Sequence, residues 1–245
     1  MKRTRILTSF LILILLWQLT AVAMANDFIL PYPLEVLSTM GKQLHSPAFF
    51  DAVMHTLLRS CLGLLLAFLL AFVTSYLSFQ FTIFKDLFYP ILLLTRSVPN
   101  ISYTIIVLLW FGSDTSALIV SFLIIFPTIY SNLYSGFHHM APSLKKVIQL
   151  YPESKGYLMR RVYLPSLQGA IQASLSSGFS LAFKVGVMAE IVGQVQIGIG
   201  RQLNICRLNA DMSGIFAWTG WIILVLICLD MFLRLIYHKK RLPNI

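Results

Sequence analysis

The chain has 245 residues, of which 58% are hydrophobic and only 11% are charged. A soluble domain is about 45–50% apolar and about 25% charged, and a disordered chain is poor in apolar residues, so this composition excludes both and indicates a protein of the lipid bilayer. The formal net charge of +10 would suggest nucleic acid in a soluble protein, but membrane proteins concentrate Lys and Arg on their cytoplasmic side.

Six stretches are apolar enough to cross a membrane, since a spanning helix needs about 20 mostly apolar residues. The predicted spans are about 6–25, 53–84, 87–111, 115–137, 167–192 and 212–236. Between the first two, Pro31-Tyr-Pro33 precedes leucines at roughly helical spacing, which fits either an interfacial helix or a plain connector. No repeat or second domain is visible, so residues 1–245 are predicted to form one all-α transmembrane domain.

The charged residues orient these spans. Twelve cations lie on one side of the membrane: before the first span, between the second and third, in the long segment 138–166 between the fourth and fifth, and after the sixth. Three cations and most of the acidic residues lie on the other side. The positive-inside rule then places both termini in the cytoplasm. An alternative is that Ala23-Met24-Ala25 ends a cleaved signal peptide, but we favour an uncleaved first helix.

Motifs for nucleotide hydrolysis and for metal or nucleophilic catalysis are missing from the sequence. Gly193 and Gly198 have P-loop spacing, but Ile199 stands where that motif requires Lys. No HExxH motif and no GxSxG turn is present, and the three cysteines suggest neither a disulfide framework nor a metal site. We therefore expect neither an enzyme nor a bound metal or cofactor.

Charged residues within the spans are candidates for function, because a charge at membrane depth costs about 2.5–3.5 kcal/mol on insertion scales. Arg59 lies near the end of its span and has a structural explanation in reaching the interface. The structural explanation for Asp230 and Arg234 is that they pair with each other. The candidates for lining a translocation path are Arg96, Asn100, Ser177, Ser180, Lys184 and Glu190.

The fifth span carries two separate stripes of residues. Small residues at intervals of four allow close helix packing in membranes, and they are Ser174, Gly178, Ala182 and Gly186. We expect this small-residue stripe to contact a second copy of the chain in a C2 homodimer. Ser177, Ser180 and Lys184 share another face of the helix, which suits either the wall of a wet path or serines bonded to their own helix.

These residues resemble the permease subunits of binding-protein-dependent ABC importers, in the branch for nitrate, sulfonates and taurine. The landmarks are Leu30-Pro31, Arg59, Arg96-Ser97-Val98-Pro99, Trp110-Phe111-Gly112, Asn132, Gly136, Arg160-Arg161-Val162-Tyr163-Leu164-Pro165, and Glu190 followed by Gly198-Ile-Gly200. The resemblance implies a type I importer fold in the bacterial cytoplasmic membrane. It also implies two separate ATPase subunits, an extracytoplasmic binding protein and a small polar or anionic solute such as nitrate, a sulfonate, taurine or a vitamin precursor.

The segment from Lys145 to Pro165 is similar to the family's EAA loop, which forms a coupling helix in a groove of the ATPase. Two positions depart from that pattern, because Lys146 replaces the acidic residue and Pro152 replaces the glycine. The resemblance implies that the coupling residues are Lys146, Val147, Ile148, Tyr151, Pro152, Glu153, Ser154 and Gly156. The alternatives to a transport subunit are an intramembrane enzyme and a membrane scaffold that does not transport.

Overall fold

A computed structural model describes residues 2–140, 144, 148, 150, 151 and 153–238. All the regular secondary structure in these residues is helical. In chain order the helices are α1 (Lys2–Met24), α2 (Pro33–Leu44), α3 (Pro47–Gln80), α4 (Thr82–Ser97), α5 (Asn100–His138), α6 (Lys155–Leu158), a π-helical turn (Met159–Tyr163), α7 (Leu164–Ser166), α8 (Gln168–Gly193), α9 (Ile199–Leu208) and α10 (Met212–His238).

Four helices in the described residues are long and apolar enough to cross a membrane, namely α3, α5, α8 and the Met212–Leu233 part of α10. The apolar part of α1, Thr8–Met24, is shorter. The predicted count of six spans therefore stays a prediction. Both α2 and α3 begin with proline, which suits the first turn of a helix because its amide would have no partner there.

The predicted third span at 87–111 is divided between two helices in the structure. Helix α4 ends at Ser97, Val98 is extended with ψ 128°, and α5 begins at Asn100. Pro99 explains the break, because proline disfavours helical geometry in the residue before it. The chain turns again at Gly112, whose φ of 74° is a left-handed conformation that glycine adopts without steric cost.

The core lies where α3, α5 and α8 pack together. Ala67 of α3, Ile129 of α5 and Phe183 of α8 are all fully buried in one apolar cluster. Helix α10 adds Trp218, which stacks on Phe49. We call the end of the bundle where α3 and α5 finish and α8 begins the loop end, and the opposite end the Glu190 end.

Candidate functional site

Glu190 lies near the end of α8 and is fully buried. The Thr56 hydroxyl lies 3.0 and 2.8 Å from its two carboxylate oxygens, and the Gly200 amide donates to Oε2 at 3.0 Å. Arg59 Nη1 donates to Oε1, also at 3.0 Å. A buried carboxylate is tolerated only when it is paired and hydrogen-bonded, and these donors meet that requirement.

Arg59 extends the interaction from this buried carboxylate toward the surface. Its Nη2 donates to Asp114 at 2.6 Å, and its Nη1 donates to the Ile197 carbonyl at 2.6 Å. The Arg59 side chain is 14% exposed, whereas that of Asp114 is 55% exposed. One guanidinium therefore ties α3 to α5, to α8 and to the turn before α9, and we call this set of contacts the Arg59 network.

The turn between α8 and α9 has the shape that the Arg59 network requires. Gln194 ends α8 in the left-handed conformation, and Gly198 has a φ of 155°. A Cβ at Gly200 would lie 2.4 Å from the Glu190 Cβ, so a larger residue there would displace the carboxylate. The Gly198-Ile-Gly200 pattern that contributed to the family resemblance thus makes room for a buried acid.

From the sequence we explained Arg59 by its reach to the interface, and its partners were not predicted. Glu190 was predicted to line a path; in this structure the Arg59 network encloses it, and its role in a path stays a prediction. A membrane-depth cation and a membrane-depth acid near the same end of two predicted spans were the signal for this pairing. That signal needed the additional knowledge that α3 and α8 are neighbours.

The other path candidates on α8 lie on its open face. Ser177 and Lys184 are exposed and Ser180 is half-buried, while Ser177 donates to the Ala173 carbonyl at 2.6 Å. We call this face the Lys184 strip. It faces away from α3 and α5, and its role in a path stays a prediction.

The small-residue stripe has the opposite placement. Ser174, Gly178, Ala182 and Gly186 are all buried. A Cβ at Gly186 would lie 2.7 Å from the Ser60 Oγ, and one at Gly178 would lie 2.9 Å from the Leu64 Cδ1. The stripe therefore packs inside the chain against α3, and not against a second copy as we expected from the sequence.

The remaining path candidates flank the break between α4 and α5. Arg96 donates to the Pro127 carbonyl at 3.1 Å and to the Ser131 hydroxyl. Asn100 is exposed and accepts a hydrogen bond of 2.5 Å from Tyr103. Arg96 thus holds α4 against the second half of α5, and Asn100 begins the helix that follows Pro99.

The described part of the predicted coupling segment lies at the loop end, beside a buried cluster of Phe137, Met140, Tyr163 and Leu167. Ile148 packs against this cluster, and Ser154 caps α6 by accepting a bond from the Tyr157 amide. Tyr151, Glu153 and Gly156 are exposed. The predicted coupling residues Lys146, Val147 and Pro152 lie outside the described residues.

Tyr157, which was not among the predicted coupling residues, is 52% exposed and follows the capped turn at Ser154. Within the described part of the chain, no three His, Cys, Asp or Glu side chains are grouped so as to hold a metal ion.

Comparison with protein families identifies the class of protein to which this helix bundle belongs. Residues 48–242 match the model of the binding-protein-dependent transport system inner membrane component. The chain belongs to this family. It is therefore a membrane subunit of a transport system and not an enzyme, which confirms the family resemblance found in the sequence.

Curated relatives agree with this assignment. The chain is 27% identical to the formylaminopyrimidine transport permease protein ThiX of Halalkalibacterium halodurans, over 85% of this chain and 83% of that protein. It is 25% identical to the putative aliphatic sulfonates transport permease protein SsuC of Bacillus subtilis, over 93% and 83%. It is 21% identical to the taurine transport system permease protein TauC of Escherichia coli, over 91% and 83%.

The fold is also found among solved structures. A crystal structure of an amino acid ABC transporter with histidines superposes with a TM-score of 0.66, covering 79% of this chain and 94% of that one. At 14% identity this likeness shows the fold alone.

Proposed function

We propose that the chain is the membrane-spanning subunit of an ATP-driven importer in the bacterial cytoplasmic membrane. In this proposal six spans place both termini in the cytoplasm, and two copies form the path. Two separate ATPase subunits drive transport, and an extracytoplasmic binding protein delivers a small polar or anionic solute. The observation that carries the proposal is an exposed aromatic surface at the loop end, held on a rigid buried base.

The base of this surface is the aromatic cluster at the loop end. Phe137 is fully buried and lies 5.2 Å from Phe79 between ring centroids. Tyr163 packs edge-on against Phe79 at 5.8 Å. Because aromatic pairs of this kind add about 0.5–1.5 kcal/mol beyond the area that they bury, the segment before α8 is firmly joined to α3 and α5. A force on this segment would therefore be transmitted to the spanning helices.

The surface on this base is apolar although it is exposed. Leu150 is 72% and Tyr151 is 71% exposed, and Tyr157 lies on the turn that follows. Exposed aromatic residues beside polar ones mark protein contact sites. Basic residues surround this segment, and the family resemblance implies that an ATPase subunit binds there. The surface therefore supports coupling to a nucleotide-hydrolysing partner.

Support for a small polar or anionic solute comes from the Lys184 strip. An exposed Lys in a spanning helix needs water or a partner, and a hydrated path between two copies of α8 would provide water. The printed names of the relatives concern formylaminopyrimidine, aliphatic sulfonates and taurine, which are small polar molecules. Their names do not identify the solute of this chain.

The proposal is tested by replacing Tyr151 and Tyr157 with Ala in the transporter assembled with its ATPase subunit. Loss of two anchors should uncouple the partner, so that ATP-driven uptake falls by about tenfold or more, the scale of a contact hot spot. The control is Leu208→Ala at the opposite end of the bundle, where the side chain is 76% exposed. Uptake equal to the parent in the double variant would contradict coupling through this surface.

A further inference from the structure

A groove between α4 and α5 contains two cations that the Arg59 network does not involve. Its cavity is about 250 Å³ and is lined by Lys85, Tyr89, Leu92, Leu93, Arg96, Tyr130, Ser131 and Tyr134. Drug-sized ligands occupy pockets of about 300–1,000 Å³, so this cavity suits a smaller molecule.

The two cations share one face of α4. Lys85, Tyr89, Leu92 and Arg96 follow one another at intervals of four, three and four residues, which places them along one side of a helix. The Lys85 ammonium lies 5.9 Å from the centroid of the Tyr134 ring, and the Arg96 guanidinium contacts Ser131. Ser131 and Tyr134 are three residues apart, or about 5 Å along α5. Both charged groups therefore converge on a single turn of α5.

Among the described residues that line the groove there is no acid to oppose these two cations. The buried acid Glu190 and its neighbour Asp114 are paired with Arg59 instead. In the described part of the chain, Arg96 donates to a carbonyl and a hydroxyl, neither of which carries a negative charge. Lys85 and Arg96 are both exposed, so their charged groups are accessible to a ligand that enters the groove.

The remaining walls suit an apolar or aromatic body. Leu92 and Tyr130 are both buried, and the Tyr130 hydroxyl is already bonded to Ser78 at 2.8 Å. The Tyr130 and Tyr134 rings stack with an interplanar angle of 5°, which gives one side of the groove an aromatic surface. A ligand would thus meet cations at one part and carbon surfaces around them.

We infer that this groove binds an oxyanion group carried on a small apolar or aromatic body, with Lys85 and Arg96 as its charge partners. A sulfonate, a carboxylate or a phosphate has the required chemistry, whether on a free solute or on a lipid headgroup. The inference deepens the proposed function and rests on it for any role in transport. Arginine contributes fixed donors to the oxyanion, and lysine contributes a compact charge.

The test measures binding without transport, using the full chain in nanodiscs of phosphatidylcholine. Tyr89 lies on the rim of the groove and is 61% exposed, so Tyr89→Cys is the reporter in a chain whose three native cysteines are replaced by Ala. The rate of maleimide labelling is measured with increasing methanesulfonate, against sodium chloride at equal ionic strength. A second set of nanodiscs contains phosphatidylglycerol. Asn209→Cys, at the Glu190 end, is the control reporter.

We expect methanesulfonate to slow labelling of the rim cysteine and not of the control cysteine. Lys85→Gln or Arg96→Gln should each weaken this protection by about tenfold, the Coulomb scale for one partly solvated charge pair, while Lys85→Arg should keep it. Protection by phosphatidylglycerol alone, lost in the same variants, would also support the site and identify the headgroup as its source. No protection by either anion, or protection that persists in both Gln variants, would overturn the inference.

The labelling result for the groove and the uptake result for the proposed function can be distinguished. The labelling assay contains no ATPase, so it reports only on the groove. The Tyr151 and Tyr157 variants lie at the coupling surface and leave the groove intact. An importer that couples normally but shows no protection would lose this site and keep its proposed function.

Discussion

Removing the charge of Arg59 alone should destabilise the bundle far more than removing its exposed partner. In Arg59→Leu the Glu190 carboxylate stays fully buried and loses its cation. Breaking one side of a buried pair costs about 3–5 kcal/mol. In Asp114→Asn the lost partner is 55% exposed, and exposed pairs contribute about 0–1 kcal/mol. The two variants act on the same guanidinium and differ chiefly in the burial of the affected acid.

A third variant separates the lost attraction from the stranded charge. Arg59→Leu combined with Glu190→Gln removes the uncompensated charge and keeps an oxygen that accepts from Thr56 and the Gly200 amide. We expect this double variant to recover part of the loss, because most of the penalty comes from the unpaired buried acid. If the double variant were less stable than Arg59→Leu, the penalty would not come from a stranded charge.

The assay is thermal unfolding of the purified chain in one detergent. For a chain of 150–250 residues about 1 kcal/mol shifts Tm by about 2–4 °C. Arg59→Leu should therefore lower Tm by about 6–20 °C and Asp114→Asn by less than about 4 °C. Equal shifts in these two variants would refute the assignment of Glu190 as the buried partner that matters.

Three further outcomes follow from the same structure. Gly186→Leu should reduce the folded yield even in the isolated chain, because a Cβ at that position would lie 2.7 Å from the Ser60 Oγ. The control is Gly169→Leu on the same helix, which should not reduce the yield because nothing lies within 4 Å of a Cβ there. Equal yields of the two variants would place the small-residue stripe outside the core. Lys184→Met should lower uptake of an anionic solute by about tenfold at unchanged Tm, and unchanged uptake would remove Lys184 from the path. Burial and the nearby Asp211 raise the pKa of the Cys206 thiol to about 11. The rate at which this thiol is labelled should therefore still be rising between pH 9 and 10, about where the rate for an ordinary thiol with a pKa near 8.5 levels off. A plateau in the labelling rate near pH 9 would contradict this environment.

The predicted fifth span at 167–192 lies within about a residue at each end of helix α8, Gln168–Gly193. Its two stripes could be recognised in the sequence because a helix repeats every 3.6 residues. What the periodicity did not reveal is which neighbour each stripe meets. Small residues at intervals of four fit a contact within one chain as well as a contact between two chains. The buried placement of Gly178 and Gly186 resolved that choice in favour of packing inside the chain.

The third predicted span contains a helix break, and the sequence contains the local reason for it. An apolar run continues through Val98 and Pro99, and hydropathy alone joins it into one helix. The proline removes an amide and constrains the residue before it, so the backbone breaks there. The kink at Gly112 falls in the short gap between the predicted spans 87–111 and 115–137.

The Arg59 network could not be deduced from the sequence alone. Arg59 and Glu190 are 131 positions apart, and their contact depends on α3 and α8 being adjacent. Helix adjacency in a membrane depends on shape complementarity along whole faces, which a single sequence does not display. The resemblance of Gly198-Ile-Gly200 to the family pattern was present, but its physical reason emerged only from the distance between Gly200 and Glu190.

The most direct test of the central claim is uptake by proteoliposomes that contain this chain together with its ATPase subunit. Solute accumulation inside the vesicles is measured with the loaded binding protein outside and ATP inside. The proposed function predicts accumulation that requires ATP, the ATPase subunit and the binding protein together. Absence of accumulation with all three present, or accumulation that persists when the ATPase subunit is omitted, would contradict it.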